Sequence, residues 1–419
     1  MISWPYLELE LTKKDKNYRL TGFSKNCRLK KADSMNNQKQ IGTELIDDLE
    51  KERGSKVVIY FTGDRQPFGS RIAEDAVRPL YEHLVNLDFT SEKKVIDLFL
   101  YSRGGDVSVP WRIASMVREF CEEFNVLVPY KAQSAATLLS LGADNIIMGK
   151  KAELGPIDPT LVKATIGEGA LPQQEISVED VNSFLSFVKE RANINDQSAL
   201  AQIVETLVNQ ISPLTLGNVN RQNSHIRLVA RKLLTSRKEK MDEEKINAII
   251  ETLTEKIYSH GHGIGRKEAK DIGLPIIFPD VKTENLIWQL YLKYENFLKL
   301  NEPIYPEIEL SRDENKILEA LPVALIESVK KLHIHKANVD LRKNRKVPPS
   351  PQINLNVNLQ LPPDIQPAQI PQQAQLILQQ LLTQISQNIT QLVQQEIVRQ
   401  SPIIGIIGRV YGGKWYEEK

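Results

Sequence analysis

The stretch from Val95 to Asp158 constrains the fold more than any other part of this chain. It opens with an apolar run, Val95–Tyr101, that is interrupted only at Asp97, as in a strand covered on both faces. Helically spaced apolar residues follow between Pro110 and Phe124, and Val126–Val128 is composed like a second buried strand. A strand–helix–strand unit of this kind predicts a parallel pair joined by a right-handed crossover.

Two turns in this stretch carry residues suited to chemistry. Gly104 and Gly105 end the first strand, where paired glycines allow positive φ and leave backbone N–H groups uncovered. Ser134 lies in a run of small residues between the second strand and a helix, a place that exposes a hydroxyl beside a positive helix end. The Ala135 amide can point the same way as the glycine amides, which predicts an oxyanion site beside a nucleophile. Tight turns in a well-packed parallel sheet would use the same small residues.

Three motifs in this order, YSRGGD, AQSAATLLSLGAD and ELGPIDP, resemble the serine dehydrogenase proteinase family. A later segment, SHGHGIGRKEAKDIGLPI, resembles the end of the same domain. This family is similar to signal peptide peptidase A and to the Clp protease proteolytic subunit, on the ClpP/crotonase fold. The resemblance covers Leu45–Leu300 and implies an α/β domain with a parallel sheet, outer helices and a serine peptidase that cleaves peptide bonds through an acyl-enzyme.

The resemblance also assigns a site, but it leaves the general base open. It matches Ser134 to the nucleophile, Gly104 and Gly105 to the oxyanion glycines, and Ala135 to the second oxyanion amide; of the two glycines we prefer Gly105 as the donor. The histidine and lysine bases of the related enzymes have no counterpart here, near Asp158 or in residues 177–181 respectively. Among Lys150, Lys151 and Lys163 we prefer Lys163 as the base, since a buried lysine with a lowered pKa can serve. Asp158 would then orient a partner.

Two other functions stay open at this point. The missing base counterparts favour a catalytically inactive peptide-binding or scaffold protein that keeps the fold. A crotonase-type acyl-CoA enzyme would use the same oxyanion amides without a nucleophilic serine. We expect no cofactor. The sequence has no GxxxxGK[ST] run, the usual ATP-binding loop, so we expect the peptidase itself to act without ATP.

The composition indicates which binding partners and which cellular compartment to expect. Fifty-four Lys and Arg against 53 Asp and Glu give a net charge of +1, which argues against a nucleic-acid partner. Cys27 and Cys121 are the only cysteines, as expected of a cytoplasmic protein without disulfides. The first residues lack a signal pattern, and no apolar run approaches the roughly 20 residues that span a bilayer. His260 and His262 have no third ligand at suggestive spacing, so we expect no metal site.

The chain divides into five predicted parts. Residues 301–347 form a small add-on subdomain that begins with a short helix near Lys316–Leu321. A seam of apolar residues from Leu378 to Leu392 is too short for an autonomous coiled coil but could assist a homo-oligomer. The parts are an N-terminal extension at 1–40, the peptidase domain at 41–300, the subdomain at 301–347, a Pro/Gln-rich linker at 348–373, and a helix and flexible tail at 374–419.

Overall fold

The computed structural model describes residues 41–157, 160–161, 176–177, 184, 187–210, 213–257, 261–347 and 371–418. The predictions for the N-terminal extension, for most of the linker, and for Asp158, Lys163 and His260 lie outside these residues. The helices are α1 Thr43–Arg53, α2 Val77–Leu84, α3 Val109–Arg118, α4 Ala135–Leu141, α5 Gln197–Gln210, α6 Pro213–Thr235, α7 Glu243–Glu251, α8 Arg266–Asp271, α9 Val281–Phe297, α10 Pro306–Glu309 and α11 Gln372–Gln400. The strands are β1 Lys56–Thr62, β2 Val95–Tyr101, β3 Glu123–Val128, β4 Lys131–Ala132, β5 Asn145–Met148, β6 Glu153–Leu154, β7 Thr160–Leu161, β8 Ile176–Ser177, β9 Ile264–Gly265, β10 Ile276–Ile277, β11 Asn315–Ser328, β12 Lys331–Arg345 and β13 Ile403–Glu417.

An eight-stranded sheet in the order β10-β5-β3-β2-β1-β11-β12-β13 forms the centre of the molecule. Its first five strands are parallel, with α2, α3 and α4 in the connections from β1 through β2 and β3 to β5. The last three strands run antiparallel to their neighbours. The predicted α/β class and the parallel pairing of the strands before and after α3 are confirmed.

Both faces of the sheet are covered, which explains the continuous apolar runs of its central strands. Val58 and Tyr60 face a core shared with α2, α3, α4, α6 and α7. Their neighbours Ile59 and Phe61 face a second core, shared with α1 and α9. Successive strand residues point to opposite faces, so a strand with helices on both sides must be apolar at nearly every position.

Asp97, the single charge in the β2 run, is fully buried and fully engaged. Its carboxylate accepts hydrogen bonds from Ser55 Oγ at 2.7 Å and Asn125 Nδ2 at 3.0 Å, and it forms an ion pair with Arg53. A buried carboxylate needs such partners because desolvation otherwise disfavours its charge. The interruption of the apolar run is therefore structural, at the end of the strand opposite the glycine turn.

The C-terminal third differs from the expectation of an add-on subdomain and a flexible appendage. The short helix predicted near Lys316–Leu321 is wrong, because these residues begin β11 and pair with β12. β11 continues alongside β1, so it extends the main sheet. Residues 403–417 form β13, whose hydrogen bonds to β12 run from Ile403 to Glu417. Helical propensity is a weak preference, and the ladder with β12 overrides it here.

Candidate active site

Ser134 occupies a strained backbone position immediately before α4. Its φ of +52° and ψ of −116° lie outside the regions that non-glycine residues ordinarily adopt, at a cost of order 1–3 kcal/mol. Hydrogen bonds on both sides hold this conformation: Gln133 N donates to Ser102 O at 3.0 Å, and Leu138 N donates to Ser134 O at 3.0 Å. The residue is half-buried, while the rest of α4 is buried. The turn therefore presents the hydroxyl at the surface of a rigid core.

The paired-glycine turn lies directly against this serine. Gly104 is buried with φ +116°, and a Cβ placed on it would lie 2.7 Å from Ser134 Cβ and 3.1 Å from Ser134 Oγ. Ser102 N donates to Lys131 O at 2.9 Å, which ties the start of the turn to the strand that leads to Ser134. The structure thus brings together the serine and the first glycine of the turn, and any side chain at position 104 would have to displace Ser134.

The two glycine amides have different surroundings. The Gly104 N–H donates to Ser102 Oγ at 3.0 Å, and that oxygen also accepts from Thr62 Oγ1 at 2.7 Å. Gly105 forms an isolated bridge with Ile72, but its own N–H takes no part: Ile72 N donates to Gly104 O at 2.8 Å, and Asp106 N donates to Ile72 O at 2.9 Å. Among the described residues, the Gly105 N–H has no hydrogen-bond partner.

The Ala135 amide shares this property. As the first residue of α4 it cannot bond within its own helix, and no described residue accepts from it. Gly105, which follows the glycine that contacts Ser134, and Ala135, which follows Ser134 itself, thus carry two backbone donors that have no partner in the described part of the chain. The Gly104 amide is taken by Ser102, so of the two predicted glycines only Gly105 keeps an amide without a described partner.

Thr137 connects α4 to the Gly155 turn. Its hydroxyl donates to Ala132 O at 2.7 Å and lies 2.9 Å from Gly155 O. The Thr137 hydroxyl oxygen also accepts a hydrogen bond from Gly155 N at 3.0 Å. The turn that leads toward Asp158 therefore starts against the first turn of the serine helix. Asp158 and Lys163 themselves lie outside the described residues, so their roles stay predictions.

The other two base candidates, Lys150 and Lys151, and also His262, are engaged at the surface or with an aromatic ring. Lys150 Nζ lies 3.3 Å from Glu284, and Lys151 Nζ lies 4.5 Å from the centre of the Tyr130 ring. His262 is exposed and pairs with Glu268 at 3.0 Å. These contacts give none of the three groups a described link to Ser134.

A charged cluster beside the glycine turn was not predicted from the sequence. Asp64 follows β1, accepts from Tyr101 OH at 2.8 Å, and pairs with Arg103 at 2.5 Å and Lys131 at 3.3 Å. Burial alone would raise the pKa of Asp64, but the hydrogen bonds from Arg103 and Tyr101 and the Lys131 charge outweigh it and lower that pKa. Asp64 thereby ties together the turn after β1, the glycine turn and the strand before Ser134.

The chain belongs to the family of ClpP-like SDH-type serine proteinases, which it matches over residues 34–316. The resemblance drawn from the three motifs is thereby confirmed. The match ends at the start of β11, so most of the antiparallel end of the sheet and all of α11 lie beyond it.

Similar proteins include two uncharacterised proteins of Methanocaldococcus jannaschii. One is 33% identical over 184 residues, 44% of this chain and 54% of that protein. The other is 23% identical over 241 residues, 55% of this chain and 70% of that protein. The match thus spans about half the length of the first relative.

Two solved structures are similar at low scores. A mutant of a membrane-bound stomatin-specific protease aligns with a TM-score of 0.32 and 13% identity, over 53% of this chain and 79% of that one. ClpP1 from Listeria monocytogenes aligns with a TM-score of 0.30 and 14% identity, over 57% of this chain and 97% of that one. Among the described residues, no helix combines the length and apolar character that crossing a membrane requires.

Proposed function

We propose that this protein is a serine endopeptidase that hydrolyses peptide bonds through an acyl-enzyme on Ser134. The observation that carries the proposal is the packing of the glycine turn against Ser134, with the Gly105 and Ala135 amides unpartnered among the described residues. Backbone donors fixed beside a nucleophile stabilise an oxyanion because they need no reorganisation when the charge forms. The family match supports the same class of reaction.

The chemistry follows the usual order for an acyl-enzyme. Ser134 Oγ attacks the peptide carbonyl carbon while a general base takes its proton, and the carbonyl oxygen becomes the oxyanion held by Gly105 and Ala135. The C–N bond then breaks, and the leaving amine takes the proton from the base. Water, deprotonated by the same base, then attacks the acyl carbon; the bond from that carbon to Ser134 Oγ breaks, the base returns its proton to Oγ, and the second product leaves. We assign the base to Lys163, with Asp158 orienting it.

A peptide-binding role without turnover is the second candidate. The observation that favours it is that Ser134 Oγ has no hydrogen-bond partner within the described part of the chain. An activated serine needs a base within reach, about 2.6–3.2 Å in the reactive complex. A test of serine reactivity therefore separates the two candidates.

The test is labelling of the purified protein with a fluorophosphonate, followed by peptide mass spectrometry. The peptidase proposal predicts one adduct, on Ser134, that disappears in Ser134→Ala. Ser140→Ala is the matched control, since Ser140 lies in α4, the helix that follows Ser134, but is buried with its hydroxyl donating to Ala136 O at 2.8 Å. Unlabelled parental protein that still binds peptides would favour the binding role, and binding of a CoA thioester instead would favour crotonase-type chemistry.

We also propose that the protein forms a homo-oligomer. The support is that α11 has no buried residue and exposes apolar side chains such as Leu376 and Leu392, at 59% and 64%. β13 is an edge strand of the sheet that also exposes Ile404 and Ile407. Exposed apolar edges of this length favour pairing with another chain.

A further inference from the structure

Three side chains of types that can bind a metal lie together at β12, β13 and α2, and three strands of the sheet separate β12 from β3, the strand before the Ser134 turn. Glu82 comes from α2, His333 from β12 and Glu417 from β13, and His333 and Glu417 are paired across the two strands. Each offers one ligand atom, and the three atoms lie within 4.8 Å of one another. We propose that these residues bind a divalent transition-metal ion, with Zn²⁺ as the representative ion.

The distances suit a small coordination sphere. His333 Nε2 already lies 3.3 Å from Glu82 Oε2, close to the roughly 3.4 Å between ligands of a tetrahedral zinc ion. His333 is buried and fixed, Glu82 is half-buried, and Glu417 is exposed. Glu82 also pairs with Arg78 at 3.2 Å and Glu417 with a lysine, so both carboxylates must turn from these surface ion pairs toward the fixed imidazole, and water can take a fourth position.

The contacts behind His333 are those that a metal-ligating imidazole requires. His333 Nδ1 lies 3.0 Å from His83 Nε2, and His83 Nδ1 lies 2.7 Å from Ser328 Oγ. If His333 Nδ1–H donates to His83 and His83 Nδ1–H donates to Ser328, both rings are neutral and His333 Nε2 keeps a free lone pair for the metal. A hydrogen bond to the second ring nitrogen is the usual way that proteins orient a ligating histidine.

The donor set also selects the ion. One imidazole and two carboxylates suit Zn²⁺ and neighbouring transition metals, whereas Mg²⁺ and Ca²⁺ prefer oxygen ligands alone. Lys331 Nζ lies 3.2 Å from Glu417 Oε1, so a lysine ammonium neutralises this carboxylate when no metal is bound. Metal binding must displace or share that contact, which favours a doubly charged ion.

Such an ion would cross-link β13, the C-terminal strand, to α2 of the peptidase domain. Glu82 lies within the segment that matches the family, while His333 and Glu417 lie beyond it. A bond network from α2 through β12 to β13 would hold the last strand, together with the helix that precedes it. The site would thus be a structural device of this chain's C-terminal extension, separate from the hydrolytic residues.

The experiment is titration of the full-length, EDTA-dialysed protein with ZnCl₂ in a calorimeter. We expect one Zn²⁺ per chain, and at least tenfold weaker binding in Glu417→Gln and in Glu82→Gln. Glu418→Gln is the matched control, since Glu418 is the adjacent carboxylate but pairs with Lys336 at 2.6 Å and is not part of the cluster. The control should bind Zn²⁺ with parental affinity, and MgCl₂ should give no binding at this site.

Hydrogen exchange gives a readout that does not depend on affinity alone. Zn²⁺ should slow amide exchange in β13 of the parental protein and of Glu418→Gln, but not of Glu417→Gln. Glu417 is exposed, so its replacement should leave the fold intact even if Glu82→Gln does not fold. Absence of Zn²⁺ binding, or equal affinity in the parental protein and Glu417→Gln, would overturn the proposal.

Discussion

Replacing Gly104 with alanine should disable Ser134 without unfolding the protein. The new Cβ would lie 2.7 Å from Ser134 Cβ, so the two carbons must move apart by about 0.7 Å to reach an ordinary contact of 3.4 Å. A misplacement of about 1 Å costs a reacting group roughly a hundredfold in rate. The φ of +116° adds a backbone cost of about 1–3 kcal/mol, which a domain of this size can absorb. We therefore expect about a hundredfold loss of reactivity in a folded variant.

The assay is the second-order rate of fluorophosphonate labelling, which needs no knowledge of the substrate. Gly54→Ala is the control, because Gly54 also has a positive φ, +62°, but a Cβ there would meet nothing within 4 Å. It should lose about 1 kcal/mol of stability and keep the parental labelling rate. Parental labelling of a folded Gly104→Ala protein would refute the reasoning, because the overlap with the serine would then have no chemical consequence.

Three further predictions concern the surroundings of the site and the core. Thr137→Val should lower the free energy of unfolding by about 2 kcal/mol, since it leaves the buried Gly155 N–H unpaired, and Thr137→Ser should restore most of it in urea titrations. Burial raises the pKa of the Glu327 carboxyl above its unfolded value of about 4.3. The stability that the protonated carboxyl contributes is therefore complete below about pH 4.3 and is lost as the pH rises through the raised pKa. Glu327→Gln should reduce the fall in the free energy of unfolding between about pH 4 and about pH 8. Burial also raises the pKa of the Cys121 thiol to about 12, so in a Cys27→Ser background Cys121 should alkylate with iodoacetamide far more slowly than free cysteine at about pH 8.

The parallel half of the fold could be predicted because its signals are local. The apolar runs of β1, β2 and β3 and the helical spacing between them follow directly from burial on both faces. Residues 198–210 and 218–234 also read as helices from the sequence alone, and α5 and α6 contain them. Boundaries differ because end residues are fixed by contacts with other elements.

The antiparallel end of the sheet could not be predicted because its pairing is long-range. β11 pairs with β1 across more than half of the chain, and β13 reaches β12 after the whole of α11. Gly405, Gly408 and Gly412 gave residues 403–417 the composition of a loose tail. Their strand conformation depends on a partner, β12, that local patterns do not identify.

The residue types of the site could be predicted from the sequence, but the hydrogen bonds between them could not. The motif places Ser134 and the two glycines on turns, and the fold brings Gly104 into contact with the serine. Which glycine amide is free depends on the Ser102 and Thr62 hydroxyls, and Thr62 lies in another strand. The Asp64 cluster likewise depends on residues from three separate segments, which no spacing rule connects.

The most direct test of the central claim is a crystal structure of the protein after phosphonylation. The account predicts phosphorus bonded to Ser134 Oγ and a phosphonyl oxygen about 2.7–3.1 Å from the amide nitrogens of both Gly105 and Ala135. The Gly104 amide should still donate to Ser102. A phosphonyl group on another residue, or on Ser134 with its oxygen turned away from both amides, would contradict the account.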